Sequence, residues 1–160
     1  MIVQLNEVEC RIAEYMAKRR YQMSREQGIV DRKIGSQSNE LTDLEGIAAE
    51  IAFCKLANVY PDLDPSSPKK EDCVLRDGRR VDVKATVHNN GRLVVARWKQ
   101  PDDVDLYALM IGKFPTYRCA GIMTSDEIIR SDRLKSLGYG LSYVADQEEL
   151  QRPDEFFGGE

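Results

Sequence analysis

The sequence predicts an α/β domain, a mixed β-sheet flanked by helices, on three observations. Two helical patterns fill the first third of the chain, strand-like segments organised around an Asp77-Gly78 turn follow, and a capping signal at Thr124 marks a later helix. Length and composition agree with a single domain over residues 1–145 and an acidic tail over 146–160. A chain of 160 residues lies within the ~100–200 usual for one domain. Hydrophobic residues at 42% and charged residues at 31% fit a globular chain and argue against disorder or a disulfide scaffold.

The first helix is expected from about Glu7 to the mid-twenties, because Val8, Ile12, Tyr15, Met16 and Met23 fall near helical spacing and Asn6 can cap it. Its other side carries Lys18-Arg19-Arg20. Residues 28–41, with Gly28, Gly35, Ser36, Ser38 and Asn39, read as a loop. A second helix is expected from Thr42, whose hydroxyl caps while Glu45 reaches back, to about Asn58. Leu44, Ile47, Ala48, Ile51, Ala52, Phe53, Cys54, Leu56 and Ala57 make it apolar almost all round, which predicts burial. Glu50 interrupts that surface. Its neighbours three and four positions away are Gly46, Ile47, Phe53 and Cys54, so no cation is at hand locally. Its charge then needs a metal or a distant basic group, unless the side chain reaches solvent at the helix edge.

Pro61, Pro65, Ser66, Ser67 and Pro68 make the next stretch a loop. From Asp72 to Lys84 the chain reads as a β-hairpin, and two registers are open. A two-residue Asp77-Gly78 loop sets Arg76 against Arg79 and Cys73 against Asp82. A three-residue Arg76-Asp77-Gly78 loop, ending in a left-handed glycine bulge, sets Leu75 against Arg79 and Asp72 against Asp82. The second register is the one predicted. It collects Asp72, Asp82 and Lys84 on one face and leaves Cys73, Leu75, Val81 and Val83 for the core.

Further strands are expected over 92–98, 104–111 and 117–123. Thr124 and Glu127 then form a capping box for a helix reaching about Leu137. Gly138-Tyr139-Gly140 reads as a turn. The tail from Asp146 carries Phe156-Phe157, which docks on the domain or on a partner.

Several chemistries are excluded. His88 is the only histidine, so HExxH metalloproteases and His-rich metal sites are out, and no GxSxG accompanies it for a Ser-His-Asp triad. Cys10, Cys54, Cys73 and Cys119 have no zinc spacing and read as reduced thiols. Apolar runs such as 47–54 fall short of the ~20 residues that span a bilayer, and no signal-peptide layout is present, so the expected compartment is cytoplasmic. The net charge of -4 is concentrated in the tail, where six acids face Arg152, leaving residues 1–145 near neutral. Basic clusters at Lys18-Arg19-Arg20, Arg32-Lys33, Lys69-Lys70 and Arg79-Arg80 permit a polyanionic partner without demanding one.

The combination of Gly46-x-x-x-Glu50 on a helix, Asp72 at a strand start and Asp82-Val83-Lys84 on the paired strand resembles the PD-(D/E)XK nuclease superfamily. That superfamily has the restriction-endonuclease-like fold, and the expected order helix-strand-strand-strand-helix-strand over about residues 42–125 is similar to it. Two departures stand out. Glu71, not proline, precedes Asp72, and a literal Pro61-Asp62 makes Asp62, with Asp64 nearby, a rival for the first acidic position. Asp72 is preferred because the hairpin register brings it to Asp82. A Gln-x-x-x-Tyr signature is absent, since Gln100 and Tyr107 lie too far apart.

The resemblance implies a Mg²⁺-dependent nuclease acting on DNA, with Mn²⁺ able to substitute. Mg²⁺ takes one or two carboxylates plus water and substrate phosphate oxygens. Asp72 and Asp82 would supply carboxylates, with Glu50 and the Val83 carbonyl as further ligands, and Lys84 would orient the attacking water or stabilise developing charge. Lys99, Arg80, Lys69 and Lys70 are the cations expected to reach the nucleic acid, although a solvent-facing strand end is the better account of Lys99 on its own. Duplex cleavage usually needs two active sites, which a homodimer would supply. RNA stays open as a substrate, because no stacking signature separates the two polymers. The competing classes are a non-catalytic nucleic-acid-binding subunit that keeps the fold and an assembly factor.

Overall fold

In the computed structural model, which describes residues 1–26, 39–66 and 69–158, the chain opens with strand β1 (Ile2–Gln4) and helix α1 (Glu7–Glu26). Most of the loop expected over 28–41, the Arg32-Lys33 cluster, Ser67, Pro68 and Glu160 lie outside the described residues. Asn6 caps α1 reciprocally. Its Oδ1 accepts the Glu9 N–H at 2.9 Å, and Glu9 Oε2 accepts the Asn6 N–H at 2.7 Å. The helix buries Ala13, Met16 and Ala17, whereas Val8 and Tyr15, expected on the buried side, are exposed. Ala13, Met16, Ala17 and Arg20 share one stripe at helical spacing, and its small residues let α1 lie close to the next helix, α2 (Asn39–Ala57). Arg20 therefore belongs to the packed side and not, with Lys18 and Arg19, to the outer one.

Helix α2 (Asn39–Ala57) starts before Thr42, so residues 39–41 are helical and Thr42 lies inside the helix instead of capping it. Glu45 has turned to the tertiary structure: its carboxylate accepts the Phe114 N–H at 3.1 Å and the Tyr117 hydroxyl at 2.6 Å. Buried donors that need an acceptor outbid a local cap. Burial follows the apolar pattern, with Ile47, Ala48, Ala49, Ile51, Ala52, Phe53 and Cys54 all in the core. Asn58, at φ 54°, ends the helix in a Schellman-type stop, the Val59 N–H donating to the Cys54 carbonyl at 2.9 Å.

The hairpin comprises β2 (Cys73–Val74) and β3 (Arg80–Thr86), paired Cys73 to Val81 and Val74 to Arg80. The Leu75 N–H donates to the Arg79 carbonyl at 2.8 Å, and Gly78 takes φ +90°, so the three-residue loop is the one formed. Next come β4 (Leu93–Ala96), β5 (Leu106–Lys113), β6 (Thr116–Thr124), α3 (Ser125–Ile128), β7 (Leu134–Ser136), β8 (Leu141–Ala145) and α4 (Pro153–Phe157). The main sheet has the order β1-β6-β5-β3-β2 and is mixed, with β3 and β5 parallel and the other pairs antiparallel.

Two expectations need correction. The strand expected over 92–98 is the shorter β4, and it leaves the main sheet for a second, antiparallel sheet of order β4-β8-β7. The helix expected from Thr124 to about Leu137 stops at Ile128 although its Thr124/Glu127 capping box is formed. Arg130 is extended, and Leu134 pairs with Tyr143 of β8, so cross-strand pairing claims the segment. Residues 97–105 form turns and irregular backbone, and the helix of the expected helix-strand-strand-strand-helix-strand order is missing between β4 and β5.

Alternation along β3 and β5 divides the core. Val81, Val83, Leu106, Ala108 and Met110 pack with α1 and α2, while Tyr107, Leu109 and Ile111 pack with Leu93, Val95, Ile128 and Ala145 on the other face. The C-terminal segment closes over this assembly. Gly121, at φ +157°, admits Leu150 and Gln151 where a Cβ would collide with Leu150. Phe156 and Phe157 dock on the domain, Phe157 lying 6.1 Å from Phe53 between ring centroids. Among the described residues no helix is long and apolar enough to cross a membrane, and all four cysteines are free.

Candidate active site

Three elements meet at the edge of the main sheet. Asp72, just before β2, is held from both sides: its N–H donates to the Val81 carbonyl at 2.8 Å and its Oδ2 accepts the Val83 N–H at 2.6 Å. Val83, expected to offer its carbonyl, thus touches the site through its amide. Asp82, only 4% exposed, lies on the β3 face opposite to Val81 and Val83. Its Oδ1 is 2.7 Å from Lys84 Nζ, and its Oδ2 is 3.3 Å from Lys99 Nζ. Glu50 comes from α2, and its carboxylate oxygens lie 3.3 and 3.2 Å from the two terminal nitrogens of the Arg20 guanidinium. Glu50 and Asp72 are close enough for each carboxyl to feel the other, the charge of Glu50 raising the Asp72 pKa.

Crowded carboxyl groups cannot all ionise. Burial, then the charges of Glu50 and Asp82, push the Asp72 carboxyl up to about 8, against the pull of the Val83 N–H and Lys84. Asp72 accordingly keeps its proton at neutral pH. Burial also raises Glu50, opposed by Arg20. In the cluster Arg20 faces Glu50, and Lys84 and Lys99 face Asp82.

The structure brings together Glu50, Asp72, Asp82, Lys84 and Lys99 and leaves the other expected cations in ion pairs beside them. Lys69 is 3.7 Å from Asp62 and Lys70 is bonded to Asp103 at 2.5 Å. Arg80 bonds the Asp105 carboxylate at 3.3 Å and the carbonyls of Asp103 and Asp102 at 2.9 and 3.0 Å. Asp62, the rival first acidic residue, lines a cleft of about 500 Å³ together with Tyr60, Lys69, Glu71 and Asp72, and its charge reaches Arg20.

Two residues of the site escaped the sequence reading. Arg20 is the distant basic group that Glu50 needed, and the Ala13-Met16-Ala17 spacing of α1 was the available signal for its side of the helix. Tyr107 is the cross-strand neighbour of Asp82. Its hydroxyl is buried with no hydrogen-bond partner among the described residues, and burial and then the charges of Asp82 and Asp103 raise its pKa. No local pattern marks such a residue in an apolar strand.

Among the described residues no group of three or more His, Cys, Asp or Glu side chains is arranged to hold a metal ion. In kind, however, the donors suit a hard cation: they are carboxylate oxygens, and they crowd closely enough to keep Asp72 protonated.

A mixed sheet with flanking helices, carrying a partly buried acid-and-lysine cluster at its edge, defines an α/β protein. The chain belongs to DUF5843, a family of unknown function whose model matches residues 3–125. That span takes in Arg20, Glu50, Asp72, Asp82, Lys84, Lys99 and Tyr107. No curated protein matches the chain.

Proposed function

We propose that this protein is a metal-dependent nuclease of restriction-endonuclease-like type that hydrolyses DNA phosphodiester bonds. The observation that carries the reading is the meeting of Glu50, Asp72, Asp82 and Lys84 from three elements, in the combination that resembles the PD-(D/E)XK superfamily. Four free cysteines suit a cytoplasmic location.

Asp72 and Asp82, with Glu50 and the Val83 carbonyl, would hold Mg²⁺, or Mn²⁺ in its place. Bound there, the cation supplies neutralisation of phosphate charge and acidification of water. Asp72 must first release its proton, while Arg20 holds the Glu50 carboxylate through both of its oxygens. Lys84 Nζ, poised on Asp82, donates to a non-bridging oxygen of the scissile phosphate and stabilises the charge that develops there. Lys99, the second cation on Asp82, donates to the same phosphate or its neighbour. A homodimer would provide the second site for cutting both strands of a duplex.

One observation favours a second reading, a non-catalytic nucleic-acid-binding or assembly subunit: Glu50 and Asp82 already have internal cationic partners. Incubation with supercoiled plasmid, linear duplex, single-stranded and branched DNA and RNA, in Mg²⁺, Mn²⁺ or EDTA, separates the two. Cutting that requires metal and disappears in Asp82→Ala and Lys84→Ala supports the nuclease. Binding without cutting under every condition replaces it with the binding subunit.

A further inference from the structure

We infer that the Tyr107 hydroxyl is a positioning group for Asp82, a donor held in reserve that takes over the Asp82 carboxylate when Lys84 and Lys99 leave it for a substrate phosphate. The inference rests on the nuclease reading for the event that draws the lysines away. β5 is an apolar strand in which phenylalanine would fill the place of Tyr107 without burying an oxygen. The Tyr107 side chain is fully buried, yet its hydroxyl has no hydrogen-bond partner among the described residues. Such a group is costly, and native structures rarely keep one without a use. Its place says what the use is. The parallel register sets Tyr107 beside Asp82 and Leu109 beside Lys84. Val81, Val83, Leu106 and Ala108 pack with the helices, so alternation puts Asp82, Lys84 and Tyr107 together on the opposite face. Adjacent strands lie only about 4.8 Å apart, and the charge of Asp82 reaches the phenol.

The resting site explains why the hydroxyl is idle. Lys84 Nζ lies 2.7 Å from Asp82 Oδ1 and Lys99 Nζ 3.3 Å from Oδ2, so each carboxylate oxygen has a donor. Asp103, the other acid whose charge the phenol feels, is likewise served, by Lys70 and by the Gln100 N–H at 3.0 Å. Substrate changes only the first arrangement. The partly exposed ammonium groups of Lys84 and Lys99 can turn to a phosphate outside, whereas Asp82 is too deeply buried for water to replace them. A phenol is still protonated at neutral pH, so Tyr107 offers the missing donor from the same face of the sheet. Its bond keeps the Asp82 carboxylate ionised and fixed in orientation, as outer partners do for carboxylates that ligate a cation.

Three measurements test this. Lys99→Met strips one donor from Asp82 with no ligand present. Tyr107→Phe, neutral in the wild-type background, should then lower the melting temperature of Lys99→Met by about 2–4 °C, the loss of one hydrogen bond in a domain of this size. In protein labelled with 3-fluorotyrosine, the fluorine NMR resonance that Tyr107→Phe removes should shift in ligand-free Lys99→Met. In the wild type it should shift on addition of oligothymidylate with Ca²⁺, used so that the strand survives. In Mg²⁺, Tyr107→Phe should lower kcat about ten- to a hundredfold with KM little changed. A resonance unmoved in Lys99→Met, or equal melting of that variant with and without Tyr107→Phe, overturns the inference. Cutting that proceeds while the wild-type resonance stays unmoved by the oligonucleotide also overturns it and leaves the nuclease standing. A resonance that moves in Lys99→Met, with no substrate cut, keeps the reserve donor and removes the nuclease.

Discussion

Asp72 and Asp82 lie alongside one another across the β2–β3 hairpin, in the register that pairs Cys73 with Val81. The contact costs stability, because two carboxyl groups close together and close to Glu50 cannot all ionise. Their proximity is set by the Arg76-Asp77-Gly78 loop, since a loop one residue shorter would have sent Asp72 to the opposite face.

This crowding predicts a stability profile for the metal-free protein. The folded-state pKa of Asp72 is raised from 3.8 to about 8, so the native state keeps a proton that the unfolded chain has lost. Its contribution is then fully present below the unfolded value and is lost as pH rises through the folded one. Melting temperature in EDTA should fall between about pH 5 and about 8, and Asp72→Asn should flatten that fall. Carboxyls held low by their partners, such as Asp103 and Glu127, act below their ordinary values and so outside this window. An equal slope in wild type and Asp72→Asn would show that Asp72 is ionised throughout.

Arg20 and Glu50 form the second energetic pairing of the site. The Glu50 side chain is 15% exposed and that of Arg20 33%, so the pair is only partly screened. Arg20→Ala strands a carboxylate in the core and should cost about 1–3 kcal/mol, less than a fully buried pair. Arg20→Ala with Glu50→Gln should cost less than the sum of the two, which a double-mutant cycle in urea measures. Simple additivity would mean that the pair contributes no coupling.

How much of this was legible depends on the range of each interaction. The Asn6 cap, the Asp77-Gly78 loop, the Thr124 capping box and the buried character of α2 are set by residues a few positions apart, and each could be read directly. Arg20 meets Glu50 across 30 residues, and β4 meets β8 through Leu93 and Ala145, so neither pairing leaves a local trace. The short α3 shows the same limit. Its cap is local, but its end is decided by the pairing of Leu134 with Tyr143. Lys70 and Arg80 were legible as cations and illegible as ion-paired ones, because Asp103 and Asp105 reach them only in the fold.

The buried hydroxyl of Tyr107 gives a prediction of unusual sign. A polar group removed from water without a partner costs about 1–3 kcal/mol. Tyr107→Phe keeps the ring that fills the core beside Leu93 and Val95 and deletes only that oxygen, so unfolding free energy should stay constant or rise. A loss above about 1 kcal/mol would reveal a bonded water or a bond to Asp82 that the hydroxyl makes in solution.

Glu45 tests the opposite case, an acceptor on which two donors depend. Its carboxylate takes the Phe114 N–H at 3.1 Å and the hydroxyl of the buried Tyr117 at 2.6 Å, fastening α2 to the turn between β5 and β6. Glu45→Ala leaves both donors without that acceptor and should cost about 2–3 kcal/mol. For a domain of this size that corresponds to a melting temperature lower by about 5–10 °C. Glu45→Gln keeps one acceptor oxygen and should recover about half of the loss, because a neutral amide accepts more weakly than a carboxylate. If Glu45→Ala instead cost no more than the few tenths of a kcal/mol typical of an exposed helical substitution, these bonds would be too weak to hold α2 against the sheet. Glu50 would then owe its place over Asp72 to apolar packing alone, through neighbours such as Phe53 and Cys54.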